Sequence, residues 1–309
     1  MSLKYIVVTN CTARKRANIP LLRFAPKGED IQQVVNNWKH DIQAAPHCIP
    51  ALQMYVGRSI QEAKKVSHQL NAKLFIVSAG IGLQEANSLI PGYDLSASEV
   101  SFNAMLTRHG SSKSEWWKLL VKEKGLSWLL HEHPESIVYL SLPSEYLTMV
   151  CTDLSESSSE TLSRIRVFTS EAGNRKIRNL AGLSVLPYDD RLESHAGYAG
   201  TRSDFPQRAL KHFVFDLGAH LLETDEASRV VIEAMNSLSK KIPSKRIRLD
   251  DHEICRLIRD SWDLFGGNSS KLLRYLRNQK LVSCEQGRFS RLRRQVAEDI
   301  KGSKSYSEH

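Results

Sequence analysis

Apolar residues in the first half of the chain fall into short compact runs separated by helical repeats. Tyr5-Ile6-Val7-Val8-Thr9 is a β-branched run of the kind that forms a buried strand, and Lys73–Val77 repeats it. Between them, Arg58–Leu70 sets Ala63, Val66 and Leu70 on one helical face, so the stretch predicts a β-α-β unit. Ile137–Leu142 predicts a third strand, stopped by Pro143, with Ser144 placed to cap the next helix. Ile165–Phe168 and Leu183–Leu186 predict a fourth and a fifth. Thr152–Ser163, rich in Ser, Thr, Asp and Glu, reads as a surface loop. Strands alternating with helices predict an α/β fold whose mostly parallel sheet is flanked by helices.

From Asp204 the period changes to that of a helix. Asp204 is a good cap residue, Pro206 suits a first turn, and Leu210, Phe213, Val214 and Leu217 share one face. The pattern bends near Gly218 and resumes through Ser239, and Ile242-Pro243-Ser244 then breaks the chain. Two domains follow: residues 1–244, an α/β catalytic domain, and residues 245–309, a small helical one. In the latter, Asp251–Phe265 predicts one helix, Gly266-Gly267-Asn268-Ser269 a turn, and Ser270–Gln279 a second helix. Leu281-Val282 leads to Gly287 and a third helix through Ile300. Short helices joined by tight turns resemble a helix-turn-helix nucleic-acid module, with a helical cap as the plainer reading.

Composition narrows the class. The chain has 309 residues, 41% hydrophobic and 25% charged, which is the profile of a folded globular protein. No apolar run approaches the ~18 residues of a membrane span, and the opening stretch Leu3–Val8 is too short for a secretory signal core. A soluble cytoplasmic protein with no membrane partner is expected. Cys11, Cys48, Cys151, Cys255 and Cys284 are scattered without a Cys-x-x-Cys pair, so reduced thiols are expected. The net charge is +9, and residues 245–309 hold 15 Lys and Arg against 9 Asp and Glu. A basic block of this kind suggests a polyanion, nucleic acid first, against the plainer reading of a solubilising surface.

In an open parallel sheet, ligands sit beyond the carboxyl ends of the strands. The polar residues predicted there are Asn10 and Cys11, Ser78 and Gly80, Ser141 and Ser144, Thr169, Ser170 and Glu171, then Tyr188, Asp189 and Asp190. Ser78-Ala79-Gly80-Ile81-Gly82 lacks the Gly-Lys-Ser/Thr of a phosphate loop and the third glycine of a dinucleotide fingerprint; it is either a phosphate-binding turn or, as the plainer reading, a tight turn. Ile90-Pro91-Gly92-Tyr93-Asp94 is a second rigid turn, whose Tyr93 either stacks on a base or caps the core. In the glycine-punctuated loop before the strong helix, Asp204 is either a helix cap or a carboxylate beside a reacting sugar or base. Arg202 would then lie on a phosphate, with His195 and Tyr198 lining the pocket. His131-x-His133 and the pair His47–Cys48 lack matching ligands at metal spacing, and no metal or other cofactor is expected.

Thr9-Asn10-Cys11-Thr12-Ala13-Arg14-Lys15, Tyr55-Val56-Gly57-Arg58, Ser78-Ala79-Gly80-Ile81-Gly82-Leu83 and Pro91-Gly92-Tyr93 occur in that order. Over roughly residues 5–100 the chain resembles bacterial domains related to the peroxide-stress protein YaaA, departing from their pattern at Asn10, Cys11 and Ile81. The layout is also similar to an anti-phage DNA glycosylase that removes glucosylated hydroxymethylcytosine. The resemblance implies an α/β enzyme tied to nucleic acid.

The first expectation is therefore a DNA glycosylase that excises a modified base from double-stranded bacteriophage DNA and leaves an abasic site. Asp204 would stabilise positive charge on the sugar, and Asn10 would position water or sugar. Ser78, Tyr93, Cys11, Arg202 and Tyr198 would contact the substrate. Arg14, Lys15 and Arg16 would hold phosphates, and Lys271, Arg274, Arg277, Arg288, Arg291 and Arg294 would grip the duplex. A second expectation is an enzyme acting on a deazaguanine-type base in DNA or RNA, with Cys11 attacking a nitrile and Lys15 assisting. A third is a non-catalytic DNA-binding protein.

Overall fold

The computed structural model describes residues 4–47, 49–240 and 246–305, with side chains to residue 300. The chain forms two compact units, Met1–Lys241 and Ile242–His309. The boundary expected between residues 244 and 245 lies outside the described residues, as does Cys48.

The first unit opens with β1 (Tyr5–Asn10), buried along its whole length. Helix α1 (Ile31–Ala44) follows; its first turn is closed by the Asp30 carboxylate accepting from the Gln33 N–H. Next come β2 (Ile49–Pro50), α2 (Ala51–Met54), α3 (Arg58–Gln69), β3 (Lys73–Ser78), β4 (Gly82–Glu85) and β5 (Leu89–Ile90). Three helices, α4 (Val100–Arg108), α5 (Lys113–Val121) and α6 (Leu126–Glu132), lead to β6 (Ile137–Ser141). Then follow α7 (Ser144–Ser155), α8 (Ser159–Leu162), β7 (Ile165–Phe168), α9 (Glu171–Ile177) and β8 (Ser184–Val185). The unit closes with a 3-10 turn (Asp190–Ser194), α10 (Phe205–Lys211), a π turn (His212–Asp216) and α11 (Thr224–Asn236).

The main sheet runs β4-β3-β1-β6-β7-β8, with β4 antiparallel and every other neighbour pair parallel. In chain order the five parallel strands read 2-1-3-4-5, so the winding reverses between β1 and β6. Alternate side chains feed two cores. Ile6 and Val8 join Val34, Trp38, Trp116 and Leu147 on one face, while Tyr5 and Val7 join Ala63, Val66, Leu210 and Val231 on the other. The result is an α/β fold with a mixed, mostly parallel sheet between helical layers.

Two local expectations fail. The polar stretch 152–163 is helical at both ends, because Leu154 and Leu162 are buried and carry their turns with them. Ser158 caps the second of these helices by accepting from the Thr161 N–H. Ser144 does not cap: Pro143 holds the cap position and Ser144 is the first helical residue. In the stretch 152–163 packing of apolar side chains outweighs local polar preference.

The second unit has α12 (Asp251–Asp260), α13 (Trp262–Phe265), α14 (Ser269–Asn278) and α15 (Gln286–Ser305). Its core includes Ile254, Ile258, Leu272, Leu276, Phe289, Leu292 and Val296. A reciprocal Asp250–Glu253 capping box starts α12. The single helix expected over 251–265 is two, divided at the buried Ser261. Gly267 has φ +66° and lies against the Trp262 ring, where a Cβ would come within 2.5 Å of Cζ2. Among the described residues no helix is long and apolar enough to cross a membrane.

Candidate active site at the sheet switch point

Three strands of the first unit end together where the winding reverses. The parallel register pairs Asn10 with Val77, and the Cys11 N–H donates to the Val77 carbonyl at 2.9 Å, which sets Cys11 beside the end of β3. Asn10, Cys11, Ser78 and Ser141 are all buried. Of the residues expected at the crevice, the structure thus joins the ends of β1, β3 and β6.

Around Cys11 the groups are hydroxyls. Its Sγ lies 3.1 Å from Tyr146 Oη, which also donates to the Cys11 carbonyl at 3.1 Å. Ser78 Oγ bonds Tyr93 Oη, and Tyr93 Oη bonds Tyr55 Oη. Burial pushes the Tyr55, Tyr93 and Tyr146 phenols well up, so all three stay protonated at neutral pH. Lys15 turns inward rather than outward: its Nζ lies 4.9 Å from the Tyr93 ring centre and donates to the Leu95 carbonyl. Desolvation lowers its pKa, with Cys11, Glu99 and Asp94 opposing. Tyr93 is fully buried against Gly80, so its ring is not open to stack on a base. Ser78 Oγ also accepts from the Gly80 and Ile81 N–H groups, so residues 78–82 form the tight turn their sequence suggests.

One buried amide escaped the sequence reading. Gln207 Nε2, on α10, donates to Thr9 Oγ1 at 2.9 Å, Asn10 Oδ1 at 2.9 Å and the Ser141 carbonyl at 2.7 Å. Asn10 Nδ2 in turn donates to the Cys11 carbonyl. Gln207 Oε1 is buried with no hydrogen-bond partner. The available signal was a polar residue on the apolar stripe of Leu210, Val214 and Leu217.

Asp204 lies one helical turn before Gln207. It occupies the cap position of α10 but makes no capping bond; its Oδ1 accepts from the Thr201 N–H at 2.9 Å and from Arg208 Nε at 2.7 Å. Arg208 is wholly buried, pairs with Glu193 at 2.7 Å, and donates to the Tyr198 and Thr201 carbonyls. Two carboxylates share one guanidinium. Gly200 permits this, since a Cβ there would come within 2.5 Å of Arg208 Nε. Arg202 is exposed, while Tyr198 is buried and donates to Asp216 Oδ1 at 2.8 Å. Beside it, His195 Nε2 lies 3.5 Å from Asp216 Oδ2, and Tyr188 Oη bonds His212 Nδ1 at 3.0 Å. Burial pushes the His212 imidazole down to about 4, so it is neutral at pH 7.

Other strand-end residues serve the fold: Ser170 caps α9, Thr169 binds the Leu142 carbonyl, and Asp189 caps the 3-10 turn. A cleft of about 580 Å³ opens beside the crevice, lined by Arg16, Gln53, Tyr55, Gln61, Lys64 and Asn87 among others. Neither Asn10 nor Asp204 lines it; Tyr55 belongs to both cleft and hydroxyl cluster. A single open cavity joining Asn10 to Asp204, as the sequence led us to expect, is therefore not what these clefts provide.

The proposed phosphate contacts divide. Arg14 and Arg16 are exposed; Lys15 is not free for a phosphate. In the second unit Lys271, Arg274 and Arg294 are exposed. Arg277 binds the Cys284 carbonyl, and Arg288 and Arg291 hold Asp251, whose carboxyl they keep below the usual range. Those three serve the fold first. A cleft of about 400 Å³ in this unit is lined by Arg246, Arg274, Arg277, Ser270, Asn278 and Gln286 with Leu273.

Comparison with protein-family models, with curated proteins and with solved structures gives no match for this chain.

Proposed function

We propose that the chain is a DNA glycosylase acting on a modified base, with its chemistry at the switch point. The observation that supports this reading is Gln207. Its amide joins Asn10 and Ser141 at two strand ends to the helix headed by Asp204, and its Oε1 is a buried acceptor with no donor. An acceptor of that kind orients the O–H of a water or a sugar. Breaking an N-glycosidic bond develops positive charge on the sugar, which fixed negative charge stabilises. Asp204 and Glu193 share Arg208 and leave one net negative charge one turn from Gln207. Asp204 acts here as part of that group, tied by Oδ1, rather than as a lone carboxylate. The exposed cations Lys271, Arg274 and Arg294 supply duplex affinity in the manner of a helix-turn-helix module, and binding falls steeply with salt.

The test is incubation of the full chain with duplexes carrying natural or glucosylated hydroxymethylated cytosine, scoring free base and alkali-labile abasic sites. Release from the modified duplex, lost in Asn10→Ala and Gln207→Leu with binding retained, is the expected result. Binding without release from any duplex leaves only the DNA-binding role.

Cys11 and its neighbours favour one second reading. The thiol would add to the nitrile carbon of a deazaguanine-type base, its proton passing to the nitrile nitrogen to give a thioimidate, with Lys15 holding charge nearby. Cys11→Ser removes that adduct, detectable by mass, whereas a glycosylase with this substitution stays largely active.

A further inference from the structure

We propose that His195, His212 and Asp216 bind one divalent first-row transition-metal ion through two imidazoles and a carboxylate. One ligand atom from each lies within 4.8 Å of the others. Ligands with bonds of about 2.0–2.2 Å stand about 3.3 Å apart in a tetrahedral shell. His195 Nε2 and Asp216 Oδ2 are already 3.5 Å apart, so closure needs only a small side-chain movement.

The surroundings are those of a held site. Tyr188 engages His212 Nδ1, which leaves Nε2 as the nitrogen available to a metal, and Tyr198 donates to Asp216 Oδ1, which leaves Oδ2. Such outer partners fix ring orientation and ligand basicity. His212 is 2% exposed and anchors the set, while the His195 and Asp216 side chains are about one-third exposed and admit a cation from solvent. The last two ligands on the helix fall within a π turn, closed by the Leu217 N–H donating to the His212 carbonyl at 3.1 Å, and such turns recur at functional sites. Lys211 lies over the Tyr198 ring and pairs with Glu62.

Two nitrogens and one oxygen suit Zn²⁺, Fe²⁺, Co²⁺ or Mn²⁺ rather than Ca²⁺ or Mg²⁺. Three protein ligands leave a position for water, so the ion would be a Lewis acid and not only a staple. The inference is independent of the glycosidic reading.

The test uses the full chain, stripped with chelator and titrated with Co²⁺, followed by its visible absorption and by calorimetry. The expected result is one Co²⁺ per chain with intense tetrahedral-type bands, displaced by Zn²⁺. His195→Gln and Asp216→Asn, both at the accessible edge, weaken binding at least ~100-fold with an unchanged circular dichroism spectrum. Tyr188→Phe weakens it ~10–100-fold. No stoichiometric binding at millimolar Co²⁺, or binding undiminished in both edge variants, overturns the proposal.

Discussion

The first unit buries polar groups in two ways. At the switch point they are uncharged side chains: Cys11 with Tyr146, Ser78 with Tyr93 and Tyr55, and Asn10 with Gln207 bond in neutral pairs and chains that leave Gln207 Oε1 unpartnered, with Lys15 turned inward beside Tyr93. In the loop cluster they are charged, with Arg208 at 0% exposure between Asp204 and Glu193. A neutral network loses a hydrogen bond when one member is removed, whereas a buried ion group loses its charge balance. The charged cluster should therefore be the stiffer frame and the hydroxyl cluster the more forgiving one.

The sharpest test of that contrast is Arg208→Ala, which strands two carboxylates and should cost about 3–5 kcal/mol in urea unfolding. Replacing Asp204 and Arg208 together by Leu and Met should cost clearly less; an equal cost would break the comparison. Acid provides the next test. His212 titrates near 4 in the fold against its ordinary 6.5, so the unfolded chain takes up more protons as the pH falls through that window. The chelated protein should lose about 3 kcal/mol between those pH values, and His212→Gln should flatten that limb. Gly80→Ala probes the neutral side, because the new Cβ would stand 2.4 Å from Tyr93 Cε2. It should cost about 1–3 kcal/mol and shift the near-ultraviolet tyrosine signal. The smallest stability effect, within about 0.5 kcal/mol, is expected from Arg274→Glu with Arg294→Glu, both exposed. That pair should nonetheless weaken duplex binding and lower its salt dependence, measured by anisotropy.

The five parallel strands were legible because each falls in a short apolar run with β-branched residues: the expected Ile165–Phe168 is β7, and Lys73–Val77 lengthens by one residue into β3, whereas β2, β4 and β5 lack such a run and were not expected. The meeting of these strand ends was legible by position, since Asn10, Cys11, Ser78 and Ser141 stand at the ends of such runs. The roles were not. A sequence shows that Asp204 precedes a helix, but not that Arg208 one turn later and the preceding Thr201 N–H would take its carboxylate instead of the first turn of that helix. Nor does it show that Lys15, between exposed Arg14 and Arg16, turns under Tyr93. The histidine pair was missed because its ligands come from separate segments. His212-x-x-x-Asp216 is a helical spacing with meaning only once the loop bearing His195 is seen beside it.

The indoles of Trp38 and Trp116 donate to the carbonyls of Gly80 and Ala79 at 2.6 and 2.7 Å, clamping the turn that carries Ser78 from behind. Over the emission of Trp117, Trp128 and Trp262, these two indoles report on that turn, and displacing Tyr93 from Gly80 is expected to shift their share of the signal. The molecule contains its own optical probe of the crevice, readable without a label.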